Sequence, residues 1–411
     1  MLEETITLEG HIIDSDILRR VFARIVEGGG QFEILDFHVG QTNEEPSTAR
    51  LSVRSKSAEE LDAILEGLSY LGASTRIEDA QFEAAEADGI LPDDFYSTTN
   101  FDTSIRVAGT WLPVGAQKMD AAIVLREGRP LCVKQRAVKK DEPVALRGGG
   151  IRVRPPERER KYSVFGFMSN EVSAEVNKSV AIRGCAESMR KSREEGSKIV
   201  LVTGPAVIHS GGDQALARLV RDGWIDVLLT GNAFAVHDLE KSILKTSLGI
   251  CQMSGRAVEG GSRNHLFAIN TVNRAGGIAK AVQTGVVQSG VMYECVRRGT
   301  PFVLAGSIRD DGPLLDVITD IRDAQEAYIE ALEGAGTCLI LASALHGIAV
   351  GNLLPARVRT VCVDMLESIP TKLANRGTHQ ALGLVTDVGF FLESLERELA
   401  KHEPADRSEK P

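Results

Sequence analysis

Between Trp224 and Glu240 the chain reads WIDVLLTGNAFAVHDLE, and this run limits the folds open to it. The apolar, β-branched stretch to Leu229 has the pattern of a strand buried on both faces. Thr230, Gly231 and Asn232 break it, and helical spacing resumes over 233–241. A strand, a tight glycine turn and a helix start aim backbone N–H groups into a crevice, a geometry that suits phosphate or another anion. A plain βα turn would look alike, so the rest of the chain has to decide.

From 171 to the end the pattern repeats. Strand cores are expected at 199–202, 226–229, 302–305, 338–342, 360–363 and 382–386, with helices between most of them, such as 213–221 and 318–333. Repeated βα units make a parallel, doubly wound sheet. The long insertion over 248–299 is rich in Gly, Asn and Arg, and ordered insertions above a sheet's ligand edge often carry function. The polar tail over 401–411 reads as disordered.

Upstream the character differs. Residues 1–93 read β-α-β-β-α-β, a ferredoxin-like split unit that binds, dimerises or merely packs. Its helices are expected from Asp14 or Ser15 to Glu27 and from Ser57 onward, and its last strand over 75–82. Residues 94–170 hold short β-rich runs at 104–107, 121–125, 130–134, 142–146 and 151–154, separated by Gly and Pro turns. They indicate a small β domain, barrel-like or a sandwich. The basic run 134–140 suits an anion or, more simply, a solvated strand edge. The remainder, 171–411, is expected to be the domain of the doubly wound parallel sheet.

A chain of 411 residues exceeds one compact core. Its net charge of −10 argues against nucleic acid as the main partner. The N-terminus has neither the basic nor the apolar region of a signal peptide, and no apolar run reaches membrane-spanning length. Six scattered cysteines without metal-ligand spacing fit reduced thiols in the cytoplasm.

Every strand of the last domain ends in polar or flexible residues. They are Thr203-Gly204-Pro205, Gly231-Asn232, the run Gly306 to Pro313, Ser343-Ala344-Leu345-His346-Gly347, Asp364 and Asp387. One such end is a normal turn; six on one edge are better explained by a site. The strand before SALHGIAVGN, with Asp364 ending the next one, resembles half of a dinucleotide site, although the G-x-G-x-x-G fingerprint is absent. Arg309 beside Asp310 and Asp311 is either an ion pair holding a loop or a clamp for a carboxylate. His237-Asp238 and Asn264-His265 are possible acid–base groups, against the blander reading of structural histidines. Cys295 in MYECV is a reactive thiol or an inert buried one. No metal cluster stands out.

Against this background the chain resembles a known family through FYSTTN (95–100), MDAAIV (119–124), GIRVRPPER (150–158), FMSNEVS (167–173), TGPAVIHSGG (203–212) and LLTGNAFAVHDLE (228–240). The match continues through NHLFAIN (264–270), SGVMYECV (289–296), PFVLAGSIRDDGPL (301–314), GIAVGNLLPA (347–356), CVDM (362–365) and GLVTDVGFFL (383–392). It is similar to the NAD-dependent ornithine cyclodeaminases of the archaeal type, also described as LOR/SDH conserved-region proteins. The same module ends the cyanobacterial arginine dihydrolase/ornithine cyclodeaminases, and this chain looks like the stand-alone form.

The resemblance implies an N-terminal LOR-type α+β domain, a small β domain and a Rossmann-like domain related to deoxyhypusine synthase. It implies a homo-oligomer acting on a small amino acid. Its NAD contacts would be Asn232, Ala233, Asp311, Ser343, Ala344, Leu345, His346, Asp364, Asp387 and Val388. The implied reaction takes L-ornithine to L-proline and ammonia by transient hydride transfer to NAD. By position, Arg309 or Lys372 would hold the carboxylate, Asp310 would handle amine protons and Cys295 would line the pocket. Rival readings are another NAD enzyme on this scaffold, a dehydrogenase or transferase, and a non-catalytic amino-acid or nucleotide sensor.

Overall fold

The computed structural model describes the chain except residues 1, 11, 14–16, 42–44, 70, 74–78, 155–171, 174–177, 249, 252–255, 257, 259–260, 311, 376–380 and 402–411. The chain divides into two compact units, 1–169 with 352–357, and 170–351 with 358–411.

The first unit opens with β1 (Leu2–Gly10), α1 (Ile17–Glu27), β2 (Gln31–His38), β3 (Ser47–Ser55) and α2 (Ala58–Ser69). The strands form an antiparallel sheet in the order β1-β3-β2. Val21 and Ile25 of α1, four residues apart on one face, join Ile64 and Leu68 of α2 over Ile6, Leu8, Leu51 and Val53. The expected caps Asp14 and Ser15, and 75–78 of the strand expected over 75–82, lie outside the described residues, while 79–81 are described and form no strand. The strand that follows, β4 (Phe82–Ala84), pairs with β9 of the next sheet instead. Phe82 packs on the core of the β-rich segment, which accounts for its partner.

That segment contains β5 (Asp102–Val107), β6 (Thr110–Pro113), β7 (Ala122–Arg126), β8 (Arg129–Val133), β9 (Pro143–Ala145) and β10 (Ile151–Arg154). They make two sheets, β10-β5-β6 and β4-β9-β7-β8. Strand β6 was not expected. Its hairpin turns on Ala108 and Gly109, both at positive φ (48° and 79°). Two-residue turns of this kind usually announce themselves with Asn-Gly or Asp-Gly, and alanine hides the signal. The basic run is used internally: Lys134 Nζ donates to the Met119 and Asp120 carbonyls, and Lys139 pairs with Asp88.

The second unit carries β11 (Val172–Ser173), β12 (Lys198–Thr203), β13 (Val227–Gly231), a small hairpin of β14 (Thr246–Ser247) and β15 (Ile250–Cys251), β16 (Phe302–Ala305), β17 (Val317–Ile318), β18 (Ala335–Leu341), β19 (Arg359–Asp364) and β20 (Ala381–Val385). All but the hairpin form one eight-stranded sheet in the order β11-β20-β19-β18-β12-β13-β16-β17. Every neighbouring pair is parallel. Its helices are α3 (Lys178–Glu194), α4 (Ala206–His209), α5 (Asp213–Arg221), α6 (Asn232–Leu244), α7 (Asn264–Ala275), α8 (Ile278–Gln283), α9 (Val291–Arg298), α10 (Ile321–Ala331), α11 (Ala344–Leu353), α12 (Ser368–Asn375) and α13 (Val388–Ala400). Leu201, Leu228, Leu339 and Val361 of the strands bury against Leu216, Phe234 and Phe391 of the helices in one core. The insertion over 248–299 supplies α7 to α9. Among the described residues no helix is long and apolar enough to cross a membrane.

Candidate active site

The chain reverses direction across the sheet between β12 and β18. It moves one way through β13, β16 and β17, and the other way through β19 and β20. Crevices open at such a reversal, beyond the carboxyl ends of the strands. Two glycines fit it closely. A Cβ on Gly204, after β12, would lie 2.0 Å from the Ala342 carbonyl oxygen, so the two backbones touch where the strands part. At Gly231, ending β13, a Cβ would lie 2.7 Å from Cε1 of His346. The imidazole, carried on α11, reaches across β12 to occupy that space.

Around this point the structure gathers most of the expected edge residues. Asn232 is buried and its Oδ1 accepts the Leu314 N–H at 3.1 Å, while Ala233 beside it is exposed. Ser343 is buried with Oγ 3.4 Å from Nδ1 of His346. Ala344 and Leu345 are exposed at the start of α11, Leu345 by 67%. Burial lowers the pKa of His346, and nearby Asp310 opposes that shift. Tyr328 flanks the imidazole and donates its hydroxyl to the Thr230 carbonyl at 2.8 Å.

On the other arm, Asp364 ends β19 and accepts the Leu366 N–H at 2.8 Å. Asp387 caps α13 by accepting the Phe390 N–H at 2.8 Å, with Val388 buried behind it. A cavity of about 410 Å³ is lined by Lys178, Met365, Val385, Thr386, Asp387 and Phe390. Met365 and Phe390 are large apolar side chains left 65% and 50% exposed. Sequence reasoning missed both: Met365 directly follows strand-ending Asp364, but its meeting with Phe390 depends on β19 and β20 being neighbours.

A second hollow, about 300 Å³, is lined by Gly306, Ser307, Ile308, Asp310, Pro313 and Thr319, with Ile321 at its edge. Here Asp310 folds its loop: its carboxylate accepts the Ser307 N–H at 2.8 Å, and its own N–H reaches the Ser307 carbonyl at 3.1 Å. Arg309 is exposed and, among the described residues, makes no ion pair, so the self-satisfied Arg309–Asp310 pair is not formed. Asp311 lies outside the described residues. Lys372 is exposed on α12.

Cys295 is not at the edge. It is completely buried in the core of the unit, and burial pushes its thiol pKa far up. A lining role for it is corrected by this placement: α9 turns Cys295 inward together with Val291 and Met292. Asp238, another acid–base candidate, is likewise buried and accepts the Val291 and Met292 N–H groups at 2.9 and 2.8 Å, capping α9.

A dinucleotide needs backbone it can approach closely, helix N-termini for its pyrophosphate, an acidic acceptor for a ribose and an apolar flank for a base. Gly204 and Gly231, the starts of α6, α11 and α13, Asp364, and the pair Met365 and Phe390 meet these requirements on one edge. Among the described residues no group of His, Cys, Asp and Glu could hold a metal.

Comparison with known proteins agrees with this architecture. Residues 3–101 match the LOR/SDH bifunctional enzyme conserved region, 102–182 the first C-terminal region of ArgZ-like arginine dihydrolases, and 183–395 their C-terminal Rossmann fold. A protein of Archaeoglobus fulgidus named ornithine cyclodeaminase is 48% identical over 396 residues, covering 96% of this chain and 97% of that protein. The crystal structure of apo ArgZ, an arginine dihydrolase from the ornithine–ammonia cycle in cyanobacteria, aligns with a TM-score of 0.82 at 39% identity. The alignment covers 97% of this chain and 58% of that one. The ternary complex of AgrE with ornithine and NAD+ aligns with a TM-score of 0.54 at 42% identity, over the same shares.

Proposed function

The chain belongs to the ornithine cyclodeaminase family of LOR/SDH and ArgZ-like proteins, and on that premise we propose that it converts L-ornithine to L-proline and ammonia with NAD. The observation that carries the reading within the structure is the parallel edge itself. Close-approach glycines, helix starts, Asp364 and the apolar pair Met365 and Phe390 converge there with the Asp310 loop. The chemistry that NAD would supply when bound is reversible hydride acceptance, which would leave the reaction with no net redox change.

The chain's residues divide the remaining work. Asp364 accepts a ribose hydroxyl, and its charge repels a 2′-phosphate, which selects NAD over NADP. Asn232, Ala233, Ser343 to His346, Asp387 and Val388 hold the rest of the dinucleotide, with Asp311 as a further contact. His346 and Tyr328 fill the crevice and exclude water. Asp310, fixed by Ser307, takes and returns amine protons. Arg309 or Lys372 pairs with the substrate carboxylate. The buried free thiols support a reducing, cytoplasmic setting, and we take the working form to be a homo-oligomer that needs neither nucleic acid nor membrane.

Incubation of the purified protein with catalytic NAD+ and L-ornithine tests this. Equal amounts of proline and ammonia should form without accumulation of NADH. Stoichiometric NADH would make the protein a dehydrogenase, and ornithine binding without turnover would make it a sensor.

A further inference from the structure

One polar network in the second unit has no part in the roles above. Glu240, on α6, is completely buried. Its carboxylate accepts the Thr246 hydroxyl at 2.8 Å and the Leu248 N–H at 3.3 Å, and Nδ1 of His237 lies 3.1 Å away. His237 is itself mostly buried, with 12% of its side chain exposed. Its ring meets that of His209 edge-on, the centroids 4.9 Å apart. His209 ends α4, reaches solvent, and has Nδ1 2.8 Å from the hydroxyl of buried Ser247.

A carboxylate buried this deeply costs several kcal/mol unless its surroundings satisfy it, as Thr246, Leu248 and His237 do here. Here it fixes one imidazole, which packs on a second that solvent can reach. The place is significant. His209 follows the carboxyl end of β12 by one short helix. The carbonyl of its neighbour Ser210 lies 2.9 Å from where a Cβ of Gly389 would stand, and that Cβ would be 3.1 Å from the Asp387 carboxylate. Helix α4 therefore lies against the start of α13, at the same edge as the candidate site.

We propose that His209 is a second proton-handling group of the reaction, exchanging protons with an amino group of the diamino-acid substrate, and that His237 and Glu240 are its positioning residues. This rests on the ornithine reading. The substrate brings two ammonium groups and one carboxylate; the products are zwitterionic proline and ammonium, so no proton is gained or lost overall. Yet each nitrogen must shed a proton before its lone pair can act, and the departing nitrogen must regain one. With Nδ1 engaged by Ser247, Nε2 of His209 takes a proton as an ammonium N–H bond breaks. It gives the proton back as the departing nitrogen leaves.

The charge state suits the task. Burial, and then the neighbouring His237, lower the pKa of His209, while Glu240 acts the other way. Among the described residues, His237 and Glu240 are the titratable groups facing it from α6. Ser247 faces it from β14, and Asp387 stands beyond Gly389 on α13. Lys241 of α6 is closed in an ion pair with Asp213. A lowered pKa favours the neutral imidazole, the form able to accept a proton.

The test is the pH profile of kcat/KM for ornithine, measured with NAD affinity on wild type, His209→Gln, His209→Asn and Glu240→Gln. Both His209 variants should lose about 10²–10⁴-fold in kcat, bind NAD within about twofold of wild type and lose the acid limb of the profile. Glu240→Gln removes a charge that favours protonation, so its acid limb should move to lower pH. Histidine NMR of the NAD-loaded wild type should show the His209 resonance shifting when ornithine is added, a readout independent of the variants' folding. Full turnover with an unchanged acid limb in folded His209→Gln, or a His209 signal blind to ornithine, overturns the assignment while leaving the ornithine reading intact. A wild type that yields no proline overturns both.

Discussion

Asp364 ends its strand with a carboxylate that receives the Leu366 N–H, so its orientation is set by its own turn before any ligand arrives. Replacing it by Ala removes a charged acceptor worth about 1.5–3 kcal/mol. NAD affinity should fall roughly ten- to hundredfold, and the preference over NADP should shrink; calorimetric titration of both nucleotides checks this. Tighter NADP binding by the wild type would contradict the role. Asp310→Asn keeps shape and leaves an acceptor for the Ser307 N–H, so melting temperature and NAD affinity should hold while proline formation slows about 10²–10⁴-fold. Unchanged turnover would leave the loop a structural one. The position of Asp364 at a strand end was legible because it closes an apolar run, and Asp310 because its polar loop follows one. His346 at Gly231, and Met365 with Phe390, were not, since loops far apart in the chain meet only when the sheet order is known. Cys295 misled for the opposite reason: its neighbours in sequence say nothing of which side of α9 it faces.

Among the elements, the strands of the large sheet were the easiest to read, because burial on both faces leaves uninterrupted apolar runs; 302–305 coincides with β16. The first sheet was harder: half of its last expected strand falls on residues outside description, 79–81 form no strand, and Phe82 pairs elsewhere. Helix α9 shows how the insertion is held. Asp238 receives its first two N–H groups, and Gly290, at φ 104°, leaves 2.7 Å between a would-be Cβ and that carboxylate. Asp238→Ala should cost about 2–4 kcal/mol, since two buried N–H groups lose their acceptor. Burial, opposed by those two N–H groups, raises the Asp238 pKa from 3.8 to about 7. The folded state therefore binds the proton more tightly than the unfolded chain does. The resulting stabilisation is full below 3.8 and is lost as pH rises through about 7. Denaturant melts of wild type and Asp238→Asn across that window should converge at its acid end; parallel curves would refute the shift.

For the molecule as a whole, the three-part reading of the chain meets a division into two compact units, the first of which includes 352–357. Cys132, Cys185, Cys295, Cys338 and Cys362 are free and buried, with Cys185 and Cys362 pushed up to about 12 by burial. These five should resist alkylation in the native protein and react together on unfolding; rapid native labelling of any one, read by peptide mass, would place it at the surface instead. The scattered spacing of the cysteines carries the expectation of a reduced state, which the same labelling tests. The return of a later segment to the first unit had no signal in composition or periodicity.

That return has a consequence for how the protein is made. Ala356 donates its N–H to the Asn100 carbonyl at 2.8 Å and is buried with Phe101, Ile105 and Ile151. A ribosome finishes residue 169 long before it reaches 352. At about 5–20 residues per second the interval is roughly ten to forty seconds. Throughout it the first unit waits with that part of its core uncovered, while much of the second emerges behind it. The amino-terminal half is thus completed by a visitor from the carboxyl-terminal half, and nascent chains stalled before 352 should be cut by protease within 95–153 where chains stalled well beyond 357 are not.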